Sequence, residues 1–279
     1  MPARIGLSTS SVYPESTAHG FAYAARLGYD AIEVMVGIDA LSQQTAAVRQ
    51  LSEHHGIPIC AVHAPTLLLT QRVWGTEPWG KLERSAEMAH AVGAGTVVVH
   101  PPFRWQKDYA QGFVEGIAAL EASTGLAFAV ENMYPWKAQV RGRNAGMEMY
   151  LPGWDPSAEE YAHATVDLSH AAIAHDDVVE MAQRLGDRLH HVHLTDGSGS
   201  AKDEHLVPGR GGMGADAFLR HLAADGFGDR YGGDIVLEIN TRRCDSVEER
   251  EADLAESLAF AREHYTVPAT AAAAEGAER

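Results

Sequence analysis

Eight times along the chain a short β-rich run is followed by a longer stretch with helical apolar spacing. This alternation limits the fold more than any other feature. The strand candidates are 4–8, 31–36, 58–63, 96–100, 126–131, 165–168, 189–194 and 234–239. Helical patterns cover 17–27, 41–55, 81–92, 108–123, 178–185, 216–224 and 247–263, and a weaker, broken helix is expected over 157–163. Alternating βα units imply a parallel sheet with right-handed crossovers, and eight of them close a barrel. An open doubly wound sheet would want a glycine-rich turn after its first strand. Here that turn reads Ser8-Thr9-Ser10-Ser11. The expected class is therefore α/β, a single (β/α)₈ barrel of the TIM type over 1–267. The Ala-rich end, 268–279, lacks a periodic apolar face and reads as a flexible tail.

The 279 residues are 46% hydrophobic, enough for one large core and inconsistent with wholesale disorder. They contain no apolar run long enough to span a membrane, and the N-terminal residues do not read as a signal peptide. The chain is expected to be cytoplasmic, and an oligomer is compatible with it. Two cysteines, Cys60 and Cys244, cannot build a disulfide scaffold or a thiolate zinc site. A net charge of −16 repels phosphate backbones, so nucleic acid is disfavoured as a partner.

Six of the eight strand candidates end in, or next to, a side chain able to bind a metal: His63, His100, Glu131, Asp167, His193 and Glu238. They recur at intervals of roughly 35 residues, about one βα unit. In Leu126-Ala-Phe-Ala-Val-Glu131 the large apolar residues share one face, and Ala127, Ala129 and Glu131 share the other. The bulky face of a barrel strand packs on helices, so the polar ends converge on the axis at the C-terminal mouth. Buried together without compensation they would be very costly, and a divalent cation is the natural counter-charge. Mixed imidazole and carboxylate ligation suits Zn²⁺, Mn²⁺ or Fe²⁺ better than Ca²⁺ or Mg²⁺. His170, in Asp167-Leu-Ser-His170, and Asp203 and His205, in the loop after the seventh strand, join the set by spacing.

With Val62-His-Ala-Pro65, Val99-His-Pro-Pro102, Val130-Glu-Asn132, Asp167-Leu-Ser-His170, His193-Leu-Thr-Asp196, Asp203-Glu-His205 and Leu237-Glu-Ile-Asn240, the chain resembles the xylose isomerase-like barrel superfamily. That superfamily holds sugar isomerases and epimerases, inosose dehydratases and endonuclease IV. Resemblance to the epimerases implies one metal held by Glu131, Asp167, His193 and Glu238. It also implies that the two glutamates shuttle a proton beside the substrate carbonyl, with His170 on the sugar. Resemblance to endonuclease IV implies three zinc ions held by His63, His100, Glu131, Asp167, His170, His193, Asp203, His205 and Glu238. Thr66 and Leu69 replace a DNA-wedging aromatic and an asparagine of that enzyme, and the interval from His193 to Asp203 is shorter. These departures count against DNA repair.

One divalent ion beside Glu131, Asp167 and Glu238 leaves a negative centre suited to a neutral polyol and carboxylate base chemistry. Three ions beside those groups and Asp203 leave a positive centre suited to phosphate. All five tryptophans fall in loops on the metal side, and Trp74, Trp105 and Trp136 are candidate stacking surfaces for a sugar. Arg210, in a glycine-rich loop, is a candidate for an anionic substituent, and Glu33, on the axis face of the second strand, for substrate contact. His191 shares the parity of His193 at greater depth and reads as a supporting residue. The expected activity is a divalent-metal-dependent isomerase or epimerase (Zn²⁺ or Mn²⁺, one to three ions) acting on a sugar, cyclitol or sugar phosphate. Catalysis is assigned to Glu131, Glu238 and His170. The alternatives are a trinuclear zinc phosphoester hydrolase and a non-catalytic metal- or sugar-binding barrel.

Overall fold

The computed structural model describes residues 2–140, 143–229 and 232–266. Its strands are β1 (Arg4–Ser8), β2 (Ala31–Met35), β3 (Ile59–His63), β4 (Thr96–Val99), β5 (Ala127–Glu131), β6 (Trp136–Val140), β7 (Arg143–Met147), β8 (Ala164–Asp167), β9 (Leu189–Leu194) and β10 (Asp234–Leu237). Eight of them form a closed parallel barrel in the order β1-β2-β3-β4-β5-β8-β9-β10, with β10 returning to β1. The helices between them are α1 (Thr17–Leu27), α2 (Thr45–His55), α3 (Pro78–Val92), α4 (Lys107–Ala110), α5 (Phe113–Thr124), α6 (Leu168–Ala174), α7 (Val178–Leu185), α8 (Ala215–Asp225) and α9 (Val247–His264). The fold is the expected α/β TIM barrel.

Two layers of packing explain why these segments become these elements. The large apolar residues at alternate strand positions, such as Leu7, Val62, Phe128, Val166, Val192 and Leu237, face outward into one large apolar cluster. There they meet the buried stripes of the helices, including Phe21, Leu82, Phe113, Met181, Phe218 and Leu254. Each such side chain contributes about 1.5–3 kcal/mol by leaving water. On the axis side a separate, small cluster of Ala31, Cys60, Ala61, Val98 and Val236 fills the lower barrel. Small residues are needed there because eight inward faces converge on one line. Where the axis widens toward the strand ends, the same parity carries imidazoles and carboxylates instead. Helix ends follow local chemistry: α1 stops at Gly28, whose φ of 84° is left-handed and costs glycine nothing.

The structure departs from the sequence expectations in the loops. The weak helix over 157–163 is absent. Only a single 3₁₀ turn forms at Pro156–Ala158, capped by Asp155 through the Ser157 amide at 2.8 Å. The helix over 108–123 is split at Gln111 and Gly112 into α4 and α5. The irregular stretch after β5 contains the antiparallel hairpin β6–β7, and α6 follows β8 directly. The tail at 268–279 lies outside the described residues. Among the described residues no helix is long and apolar enough to cross a membrane.

The helix layer is packed closely enough to test. A Cβ on Gly116 of α5 would overlap the six-membered ring of Trp79, which α3 presses into the gap between Tyr109 and Phe113. Helix propensity alone favours Gly116→Ala by up to about 1 kcal/mol, but the overlap reverses the sign to a loss of about 1–3 kcal/mol. Thermal denaturation of Gly116→Ala, Trp79→Leu and the double variant should show the alanine destabilising only when the indole is present.

Candidate metal centre

Strand ends set the positions of the polar side chains. His63 closes β3, Glu131 closes β5 and Asp167 closes β8; His193 is next to last in β9, while His100 and Glu238 immediately follow β4 and β10. All six are at most 7% exposed. Asn132 fixes the end of β8 from both sides: its Nδ2 donates to the Asp167 carbonyl at 3.0 Å, and its Oδ1 accepts from the Asp167 amide at 2.6 Å. Asp167 Oδ1 then caps α6 by accepting from the His170 amide at 2.7 Å. One turn of helix suffices to aim His170 at the mouth. Ser169 ties the β9–α8 loop down, its Oγ donating to Asp203 Oδ1 at 2.8 Å and accepting from the His205 amide at 3.0 Å. His205 is held at a φ of 45°, unusual for a residue with a Cβ, while its Nδ1 lies 2.7 Å from the Glu238 carbonyl.

All nine residues expected at the mouth are brought together. Glu131 is their hub. Its Oε2 lies 3.2 Å from His63 Nε2 and 2.9 Å from His100 Nε2, and its Oε1 lies 3.2 Å from both His170 Nδ1 and His193 Nδ1. His193 Nδ1 is also 2.9 Å from Glu238 Oε2 and 3.8 Å from Asp167 Oδ2. A second knot joins Asp203 to His170 Nε2 at 3.4 Å and to His205 Nε2 at 3.0 Å.

The electrostatics follow from this crowding. Burial opposes the charged form of His193, yet Glu238, Glu33 and Glu131 together hold its imidazolium well above the ordinary range. His170 is raised in the same way by Asp167 and Asp203, and His205, despite its burial, is pushed up to about 10 by Asp203 and Asp167. Burial also opposes ionisation of Glu131, but His193 and His100 hold its carboxyl well below the usual carboxylate range. Asp167 is the exception: burial raises it. In the metal-free chain, protons stand where cations would compensate the carboxylates.

The residues fit a divalent cation. Donor atoms of Glu131, Asp167, His193 and Glu238 all lie within 4.8 Å of one another, and Asp167, His170 and His205 form a further such group. Asp167 Oδ2 is buried with no hydrogen-bond partner. An orphaned carboxylate oxygen is costly in a protein interior, and hard oxygen donors with imidazole are what a first-row divalent ion takes.

A cavity of about 270 Å³ opens over the cluster. Its polar lining includes His63, His100, Glu131, His170, Asp203 and Glu238; Leu67, Leu68, Phe103, Met133, Trp136 and Tyr150 form much of the rest. A larger depression of about 980 Å³ lies at the other end of the barrel, around Arg4, Asp30, Thr96 and Asp234. It holds none of the donor groups found at the mouth.

Several sequence candidates are not brought to this cavity. Arg210 turns outward to α9, pairing with Glu256 at 2.5 Å and Asp253 at 2.8 Å, because two acidic residues on one helix face outcompete the mouth for it. Trp74 packs in the helix layer, its Nε1 donating to the Gln43 carbonyl at 3.3 Å and its ring lying under Arg84. Trp105 is half exposed beside the cavity, stacked on Phe103 with centroids 4.6 Å apart. Of the three proposed tryptophans, Trp136 alone lines the mouth. Glu33 is fully buried beneath the cluster and is not among the residues that line the cavity. His191 is buried beside it, as expected. The supporting roles of Asn132 and Ser169 were not singled out from sequence, although both lie inside the quoted motifs. Small uncharged residues give no periodic signal.

Comparison with known proteins agrees with this geometry. A family model described as xylose isomerase-like TIM barrel matches residues 21–264. An uncharacterized protein of Mycobacterium tuberculosis is 48% identical over 276 residues, covering 94% of this chain and 97% of its own. Fructoselysine 3-epimerase of Escherichia coli O157:H7 is 24% identical over 242 residues, covering 80% of this chain and 85% of its own. Among solved structures, a D-tagatose 3-epimerase-like protein superposes with a TM-score of 0.63 at 23% identity, covering 94% of this chain and 100% of that one. With the barrel, its convergent donors and a match over most of its length, the chain belongs to the xylose isomerase-like TIM barrel family.

Proposed function

We propose that this chain is a divalent-metal-dependent epimerase or isomerase of a small uncharged sugar or cyclitol, acting by proton transfer at the carbon beside a carbonyl. The observation that carries the reading is that Glu131 and Glu238 face one cavity with His170, each within 3.2 Å of the same His193 nitrogen. Two carboxylates on one small pocket are what a proton exchange between two faces of a carbon requires. One carboxylate takes the proton, and the electron pair left behind delocalises onto the carbonyl oxygen. The other, in its acid form, returns a proton to the opposite face. His170 orients a substrate hydroxyl. The apolar wall of Phe103, Met133 and Trp136 presents stacking surface and keeps water from the carbanion.

Glu131, Asp167, His193 and Glu238 would hold the cation, Mn²⁺ or Zn²⁺, whose chemistry when bound is Lewis-acid polarisation of the carbonyl and hydroxyl oxygens. Among the described side chains that line the cavity none is Lys or Arg, which favours an uncharged substrate over a sugar phosphate. The likeness to a fructoselysine 3-epimerase and to a D-tagatose 3-epimerase-like protein supports the same class of chemistry.

A second reading, phosphoester hydrolysis at a trinuclear centre, is favoured by one specific observation. Four imidazoles surround Glu131, and a further group of donors gathers around Asp203. Metal analysis of protein purified without added metal separates the two: one ion per chain for the first, three for the second.

Two outcomes are expected. Mn²⁺ at about a hundredfold its dissociation constant should stabilise the fold by about 2.7 kcal/mol, roughly 5–10 °C in the melting temperature, and a chelator should reverse this. Asp167→Asn keeps the α6 cap and should lose most of that shift while the metal-free variant melts no lower than wild type. In D₂O, a panel of ketoses and keto-cyclitols should contain a substrate that gains deuterium beside its carbonyl, with Glu238→Gln lowering the rate about 10²–10⁴-fold. Cleavage of an abasic-site duplex or a phosphodiester, with no deuterium uptake by any sugar, would reject the first reading in favour of the second.

A further inference from the structure

Glu33 and the Ser8-Thr9-Ser10-Ser11 turn have no part in the chemistry above, yet they are built into the centre from below. Glu33 is fully buried. Its Oε2 lies 3.0 Å from His191 Nε2 and 3.2 Å from His193 Nε2, and its Oε1 accepts from Ser8 Oγ at 3.1 Å. An ionised carboxylate can only accept, so each imidazole presents an Nε2–H to it. In the neutral His193 that a cation would require, this leaves Nδ1 as the lone-pair nitrogen, and Nδ1 is the atom that faces Glu131, Asp167 and Glu238. The opposite tautomer would set a lone pair against the Glu33 carboxylate and lose that hydrogen bond. Ser10 donates its Oγ–H to Glu238 Oε1 at 2.9 Å and its backbone N–H to Ser8 Oγ at 3.4 Å. One buried carboxylate is thus linked to two of the four donors that meet at the mouth.

We propose that Glu33 is the positioning residue of this centre, holding His193 with Nε2–H turned down and Nδ1 turned toward the donor cluster, while Ser8 and Ser10 extend the restraint to Glu238. The inference rests on the metal reading and goes beyond it, because it assigns the tautomer and orientation of the histidine ligand to a residue outside the Glu131, Asp167, His193 and Glu238 set. A carboxylate behind a ligating histidine raises the basicity of the ligand and fixes its ring. An ion pair that served the barrel alone would lower stability without changing affinity for the metal.

The test is a zinc titration against a chromophoric chelator, with wild type, Glu33→Gln, Glu33→Asp and Ser8→Ala compared. Glu33→Gln is expected to weaken zinc binding about 10–100-fold. Glu33→Asp, which keeps the charge at shorter reach, should recover part of the loss. Ser8→Ala leaves the contact between Glu33 and His193 in place and should cost about threefold or more; it decides the matter should Glu33→Gln fail to fold. Nitrogen-15 histidine spectra of the zinc-loaded wild type should show His193 protonated at Nε2 alone, and the glutamine variant should lose that single state. Zinc bound equally tightly by wild type and all variants, or a His193 protonated at Nδ1, overturns this inference alone. A wild-type chain that binds no zinc overturns it together with the metal reading.

Discussion

Holding ionised carboxylates inside a barrel is the constraint on which the rest of this structure depends. Glu33, Glu131, Asp167 and Glu238 are nearly or wholly shut off from solvent on the axis, and each costs several kcal/mol to desolvate. The three glutamates persist because imidazoles stand against them at 2.9–3.2 Å, and the apolar layer between strands and helices supplies the stability that the axis consumes. The division of labour is spatial. Large side chains on the outward face carry the fold, small ones plug the lower axis, and the upper axis is free to hold charge. A site made this way is preorganised, since every donor is fixed by a strand end or by a hydrogen bond from a neighbouring loop.

How much of this was legible in the sequence depends on what kind of information each feature needs. Alternation within a strand is local, so the convergence of His100, Glu131, Asp167 and Glu238 followed from parity, and His63 and His193 joined them as strand-end residues. Depth along the axis is not local. It depends on register between strands that the sequence leaves open. In the barrel Met35, not Glu33, stands beside His63, and Glu33 stands beside Ala61, one layer lower. Parity therefore placed Glu33 on the axis correctly but left it free to be read as a substrate contact. Loop side chains are harder still, because no period constrains them. Arg210 was drawn to the mouth by its neighbouring glycines, whereas Asp253 and Glu256, three residues apart on α9, decide where it points. The α6 helix went unseen because seven residues are too few for a period to register and its first turn continues the strand-like run of β8.

The mouth also divides its labour between two walls. One carries the donors; the other is built from Phe103, Met133, Tyr150 and Trp136, tied together where Phe103 bridges Tyr150 and the loops after β4 and β5 meet. An apolar wall beside a charged one lowers the local dielectric and strengthens every polar contact within the cavity. In pockets of this kind the orientation of a ligand is left to a few directional groups.

Whether such a mouth moves protons on carbon or opens a phosphoester turns on Glu131. A carboxylate that exchanges protons with substrate needs an oxygen free to do so. In this chain His63 and His100 converge on Oε2, and His170 and His193 converge on Oε1. If a cation enters between His63, His100 and Glu131, both oxygens are committed to metals and only Glu238 keeps an oxygen on a mobile hydroxyl, that of Ser10. Two-carboxylate proton exchange and a fully loaded trinuclear centre are therefore competing uses of one side chain. On the proposed reading, occupancy of the His63–His100 side would make the choice between them. The same nine donors would form a negative centre suited to a neutral sugar with one ion and a positive centre suited to phosphate with three.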